Sequence, residues 1–156
     1  MSGLQLSHYS DAPFELDCTR TYEQREPVSA HEKPRGFWVS VDGEHGWPEW
    51  CRDENFGLDR LASRLPLTLA PTANVLLIET EQALIEFTHR YGVPARYSGG
   101  APAIDWVRLA GEYDGIIVSP YQWECRYGEH TFWYYGWDCA SGCIWNLDAL
   151  EVLVDA

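Results

Sequence analysis

Lys33-Pro34-Arg35-Gly36-Phe37-Trp38-Val39-Ser40 reads as a basic turn feeding a short aromatic strand. Pro34 and Gly36 punctuate the turn, and the run after them is aromatic and β-branched, the residue types that suit a pleated, half-buried surface. Upstream, Leu4-Gln5-Leu6-Ser7-His8-Tyr9-Ser10 reads as an earlier strand. Between the two, Asp11 to Glu32 is polar, mixed in charge and broken by Pro13 and Pro27, which predicts an irregular excursion with at most one helical turn. A loop of that length is usually functional or mobile.

Downstream, Asp42-Gly43 marks a turn, and Trp47-Pro48-Glu49-Trp50-Cys51 predicts a helix start with proline in the first turn, which puts Trp47 and Trp50 on one face. Leu65 to Leu69 and Val75 to Glu79 are apolar and β-prone, and the Pro71-Thr72-Ala73-Asn74 turn between them predicts a hairpin. Thr80 caps the clearest helix, with Ala83, Leu84, Phe87 and Tyr91 at helical spacing, Gly92 ending it in the left-handed conformation and Pro94 blocking its continuation. After the Ser98-Gly99-Gly100 break, a second helix is expected from Pro102 to Glu112, turning Ile104, Val107 and either Trp106 or Ala110 inward. Four strands follow, at Tyr113 to Val118, Thr131 to Trp137, Gly142 to Trp145 and Leu150 to Val154.

Strands, then helices, then strands is the order of an α+β fold built on antiparallel sheet. The chain contains no GxGxxG or GxxxxGK[ST] loop, which disfavours Rossmann and P-loop chemistry. At 156 residues, with neither repeats nor a long linker, residues 1–156 are expected to form one domain with two or three helices packed on a mainly antiparallel split sheet.

A net charge of −13 disfavours nucleic acid and anionic lipid as general partners, because both must be met by Lys and Arg. Lys33 is the one lysine, and the arginine excess matches a GC-rich genome such as that of an actinobacterium or its phage. Apolar runs such as Val75-Leu76-Leu77-Ile78 fall far short of the roughly 20 residues that span a bilayer, so a soluble, cytoplasmic protein is expected. Five cysteines, an odd number without a secretory signal, predict free thiols. Cys139-x-x-x-Cys143 with His130 does not have the paired ligand spacing of structural zinc, and no metal site is expected.

His8-Tyr9-Ser10 on the first strand and Phe37-Trp38-Val39-Ser40 on the second resemble the nucleotide cradle of the ADP-ribosyltransferase-like superfamily, with its poly-ADP-ribose polymerase and RNA phosphotransferase branches. The resemblance covers the order of elements over most of the chain. It implies NAD or a related nucleotide as ligand, with His8 donating to a ribose hydroxyl, Ser40 meeting the nicotinamide ribose and Trp38 or Phe37 stacking on nicotinamide. Tyr9, Ser10 and Trp50 complete the expected cofactor-binding set.

The chain departs from the superfamily at the late strand, where catalytic members present a Glu that stabilises the ribosyl cation. Ala140-Ser141-Gly142-Cys143-Ile144-Trp145-Asn146 holds no carboxylate, which leaves Asp138 and Glu124 as the candidate acids beside His8. Arg35, Arg126 and Lys33 are candidates for a phosphorylated ligand. A different class of function is also open, in which an inactive acidic phage-type protein captures a host protein, in its strong form as a mimic of DNA. Trp123, Trp133, Trp137 and Trp145, with Tyr121, Tyr127, Tyr134 and Tyr135, then form either a binding surface or a dense aromatic core.

Overall fold

The computed structural model describes residues 4–43, 45–97 and 100–154. In chain order the elements are β1 (Leu6–Ser10), β2 (Phe37–Val41), α1 (Trp47–Glu54), β3 (Ser63–Leu69), β4 (Val75–Ile78), α2 (Glu81–Tyr91), β5 (Gly92–Val93), β6 (Ala103–Ile104), α3 (Trp106–Ala110), β7 (Gly115–Val118), β8 (Ser141–Ile144) and β9 (Leu150–Val152). Single 3-10 turns occupy Leu58–Leu61, Trp123–Cys125, Phe132–Gly136 and Leu147–Ala149. The expected α+β class is what the chain forms, and Asp11 to Glu32 is the irregular excursion its composition predicts.

Seven strands make one sheet in the order β4-β7-β8-β2-β1-β3-β9, and β5 pairs with β6 in a separate ladder. All pairings within the large sheet are antiparallel except β4 with β7, so the sheet is mixed. The parallel pair is joined through α2 and α3, as a crossover connection requires. No helix among the described residues is long and apolar enough to cross a membrane.

The hairpin expected from Leu65 to Glu79 does not form. β3 pairs with β1 and β9 while β4 pairs with β7, so two consecutive strands stand five places apart in the sheet order. A flat sheet would separate them by about 24 Å, at about 4.8 Å per strand. The connecting residues 70–74 reach about 20 Å at full stretch, and they contain a turn, since Ala73 N–H bonds to Ala70 O at 3.0 Å. The sheet is therefore curled. Hydrogen bonds secure the ends it brings together: Ala70 N–H to Ala149 O at 2.8 Å, Asp114 N–H to Asn74 O at 2.7 Å, and Asn74 N–H to the Asp114 carboxylate at 2.9 Å.

Alternation sorts the central strands into two faces. Leu6, Phe37, Val39, Val41, Leu67, Ile117 and Ile144 share one face and are buried. Gly142 lets β7 and β8 close over that layer, because a Cβ there would stand 2.5 Å from Ile117 Cγ1 and 2.7 Å from Ile116 O. The other face carries Ser7, Tyr9, Trp38, Ser40, Ser141 and Cys143, and part of it is covered by an aromatic layer that links Trp38 to Trp137, Trp133, Phe87 on α2 and Trp106 on α3.

The caps of α1 and α2 follow their residues. Pro48 sits in the first turn of α1, Trp47 and Trp50 stack at 5.0 Å, and the Thr80 hydroxyl accepts from Ala83 N–H at 3.0 Å. Gly92 is extended (φ −71°, ψ 136°) rather than left-handed, because the chain passes straight from α2 into β5. The second helix is shorter than expected. Ala103 and Ile104 pair with β5, Asp105 caps Arg108 N–H at 3.1 Å, and Trp106 and Leu109 turn inward while Val107 is exposed. Ser98 and Gly99 lie outside the described residues.

Thr131 to Trp137 is not a strand. Phe132–Gly136 is a 3-10 turn tied by Tyr134 N–H to Thr131 O and Trp137 N–H to Tyr134 O, both 2.9 Å. The preference of aromatics for strands reflects what they pack on, and here they pack on α2 and each other. Trp133, Tyr134 and Trp137 are buried, Tyr135 is exposed, and no two-sided alternation exists.

Candidate functional site

A cavity of about 280 Å³ opens on the polar face of the sheet. Its floor is made by the residues that alternation turns to this side: Ser7 and Tyr9 of β1, Trp38 and Ser40 of β2, and Ser141 of β8. Its walls are Lys33, Trp47 at the start of α1, and the segment Gly136 to Cys139 that leads into β8. Asp138 is the one acid among the lining residues.

The two serine hydroxyls of β1 and β2 on the floor are held. The Ser7 hydroxyl donates to Asp42 Oδ1 at 2.6 Å and accepts from Arg64 Nε at 2.7 Å, and Arg64 Nη2 meets Asp42 Oδ2 at 2.9 Å. The Ser40 hydroxyl accepts the Trp47 N–H at 2.8 Å and so satisfies one of the free donors at the start of α1, while its own proton remains to donate. Lys33 lays its ammonium 5.7 Å from the centre of the Trp38 ring, and the same ring meets Trp137 in a T-shaped contact at 5.0 Å.

Burial pushes the Asp138 carboxyl above the ordinary carboxylate range, against the opposing pull of Lys33 and Arg126. Arg126 Nη2 stands 3.8 Å from Asp138 Oδ1. The backbone at this wall is fixed by His45, which sits at φ 53°, an uncommon conformation for a residue with a side chain. Its Nε2–H donates to Asp138 O at 2.8 Å and its carbonyl accepts from Ala140 N–H at 2.9 Å, so one residue clamps both sides of Cys139. The His45 ring in turn packs on Tyr121 and Trp123.

Of the residues singled out from sequence, His8, Tyr9, Trp38, Ser40 and Asp138 border this cavity. His8 does so with its ring turned to the apolar face, where it stacks on Phe37 at 4.3 Å and lies 4.9 Å from Phe14. Its Nδ1–H donates to Trp38 O at 2.8 Å. Phe37 is in the core, and the Ser10 hydroxyl donates to Ala12 O at 2.6 Å. Trp50 stacks behind Trp47 without lining the cavity, and Glu124 is exposed on the turn Trp123–Cys125 away from it.

Lys33 lines the cavity, Arg126 is engaged with Asp138, and Arg35 lies in a separate hollow with Gln24, Arg25 and Glu32. Ser7, Trp47, Trp137 and Cys139 line the cavity as well, and of these Ser7 is legible in the sequence, because it alternates with Tyr9 on β1.

All five cysteines are free, and burial pushes the Cys125 thiol up to about 11 and the Cys139 thiol up to about 12. Among the described residues, no group of three or more His, Cys, Asp or Glu side chains is placed to hold a metal ion. Comparison with family models, with curated proteins and with solved structures finds no match to this chain.

Proposed function

We propose that the cavity binds a nucleotide of the NAD type and that the chain transfers ADP-ribose to an acceptor with Asp138 as its acid. The observation that carries this reading is convergence. Tyr9, Trp38, Ser40 and Asp138, drawn from β1, β2 and the approach to β8, turn to one cavity, while the ring of His8 packs on the opposite face, and these three strands are neighbours in the order β8-β2-β1. At about 280 Å³ the cavity lies at the lower end of small-molecule sites, which suits a nicotinamide ring and its ribose and leaves the adenylate half outside. A nicotinamide that stacks on Trp38 displaces the Lys33 ammonium from that ring, and the freed ammonium stands ready for the phosphates at the rim.

In the reaction the bond between nicotinamide and the anomeric carbon breaks with its electron pair going to nicotinamide, and a lone pair of the acceptor makes the new bond. The Asp138 carboxylate stabilises the cationic sugar as it forms and takes the acceptor's proton, a task helped by its raised pKa. This places the acid before β8 rather than on it, where Ser141 stands opposite Ser40.

The test is titration of the purified protein with NAD, followed by tryptophan fluorescence and thermal melting. Saturable quenching that is lost in Trp38→Leu and weakened in Ser40→Ala supports the reading, and Asp138→Asn is expected to bind NAD but release no nicotinamide. Absence of both quenching and thermal stabilisation at millimolar NAD refutes it. A second reading, capture of a basic partner protein, is favoured by the exposure of Trp123 and Tyr127, 55% and 75%. It is checked by whether a partner is retained at low salt and lost at high salt.

A further inference from the structure

Beside the first cavity lies a second of about 260 Å³, bordered by Tyr9, Ser40, Asp42, Glu49 and Arg64 among others. Tyr9 and Ser40 belong to both, so the two hollows share a wall. The charges in the second hollow do not balance. Arg64 is directed at Asp42, with Nη2 on its carboxylate and Nε on the Ser7 hydroxyl that also bonds Asp42, so the arginine charge is matched by that one aspartate. Glu49 has no ion pair among the described residues, and its Oε2 is buried without a hydrogen-bond partner.

A buried carboxylate oxygen left unpaired is costly, and folded chains seldom keep one without a use. Ser40 and Glu49 both line the cavity, and both pack against Gly46, where a Cβ would stand 2.9 Å from Ser40 Oγ and 3.6 Å from Glu49 Oε2, so the hydroxyl and the carboxylate are close neighbours. One acceptor charge in excess, a hydroxyl next to it and an overall charge of −13 favour a positively charged donor over a neutral one.

We propose that the second cavity is a binding site for a cationic nitrogen group, a guanidinium or a primary ammonium, held by the Glu49 carboxylate and the Ser40 hydroxyl. The site rests on its own charge and geometry and goes beyond the nucleotide reading, next to which it would hold a second ligand. Such a group comes either from a free polyamine or from an Arg or Lys side chain of another protein.

The test uses the full chain without NAD, titrated with agmatine, with an arginine-containing peptide and with a neutral alcohol of agmatine's length, read by calorimetry. Saturable binding of agmatine or of the peptide, weakened roughly tenfold or more in Glu49→Gln and absent for the alcohol, is the expected result. Agmatine binding points to the free cation, and binding of the peptide alone points to a side chain. If neither cation binds, if the alcohol binds equally well, or if folded Glu49→Gln binds as the wild type does, the proposal is overturned. Should Glu49→Gln fail to fold, the comparison of cation with alcohol on the wild-type protein decides. Loss of NAD binding alone would remove the nucleotide reading and leave this site standing.

Discussion

At the centre of the aromatic layer behind the cavity lies a buried polar contact between two side chains, which makes Thr88→Val a sharp perturbation. Trp133 is buried, its Nε1–H donates to Thr88 Oγ1 at 2.8 Å, and that hydroxyl donates onward to Leu84 O at 2.9 Å. Valine keeps the shape and deletes the acceptor. Leu84 O retains its place in the helix ladder, so the main loss is the orphaned indole N–H, which costs about 1–3 kcal/mol. For a domain of this length each kcal/mol lowers the melting temperature by about 2–4 °C, so a loss of about 4–8 °C is expected at the middle of that range.

The stricter test is the cycle with Trp133→Phe, in which there is no N–H left to orphan. Thr88→Val should then cost less than about 0.5 kcal/mol, a coupling well above the scatter of independent sites. Urea unfolding followed by far-ultraviolet circular dichroism measures all four proteins without relying on tryptophan emission. Equal losses in both backgrounds, or a Thr88→Val protein as stable as the wild type, would refute the reasoning. Because Trp133 packs on Trp137 at 5.8 Å, the same substitution should also loosen a wall of the cavity.

Two further outcomes follow from burial. The folded pKa of Asp138 is raised by desolvation, so its protonated form favours the fold: the stability it contributes is present below the unfolded carboxylate pKa of about 3.9 and is lost as pH rises through the higher folded value. Asp138→Asn should therefore melt together with the wild type in acid and above it at neutral pH, and a gap that is independent of pH would contradict this. Of the five cysteines only Cys18 is exposed, while burial raises the thiols of Cys51, Cys125, Cys139 and Cys143. A disulfide reagent such as Ellman's should modify one thiol in the native protein and all five in denaturant, and rapid labelling of a second native thiol would show that the core opens.

What could be read from sequence was local. The strands at His8 and Trp38 and the cap at Thr80 are written in neighbouring residues, and the structure has them there. The turn at Pro71 does not make a hairpin, because a turn marks a change of direction and says nothing of which strand becomes the partner, which for β4 is β7. Thr131 to Trp137 carries strand-forming residues without being a strand, because aromatic side chains fit a helix-covered turn as well as a sheet. The floor of the cavity needed Ser40 to be matched with Ser141, a pairing that no local pattern encodes. Asp138 is legible as a carboxylate close to that strand in sequence, whereas the roles of His45 and Glu49 depend on a left-handed backbone and on an absent partner, neither of which a sequence displays.

The placement of β2 between β1 and β8 also sets when the site can exist. β2 waits for a neighbour roughly a hundred residues further along, so closing that loop carries an entropic cost that must be met before the pairing repays it. During synthesis the stretch bearing Trp38 and Ser40 leaves the ribosome long before Ser141 and Asp138. Until they arrive, β2 has one free edge and the cavity has no far wall, so ligand binding would report that the sheet has been completed.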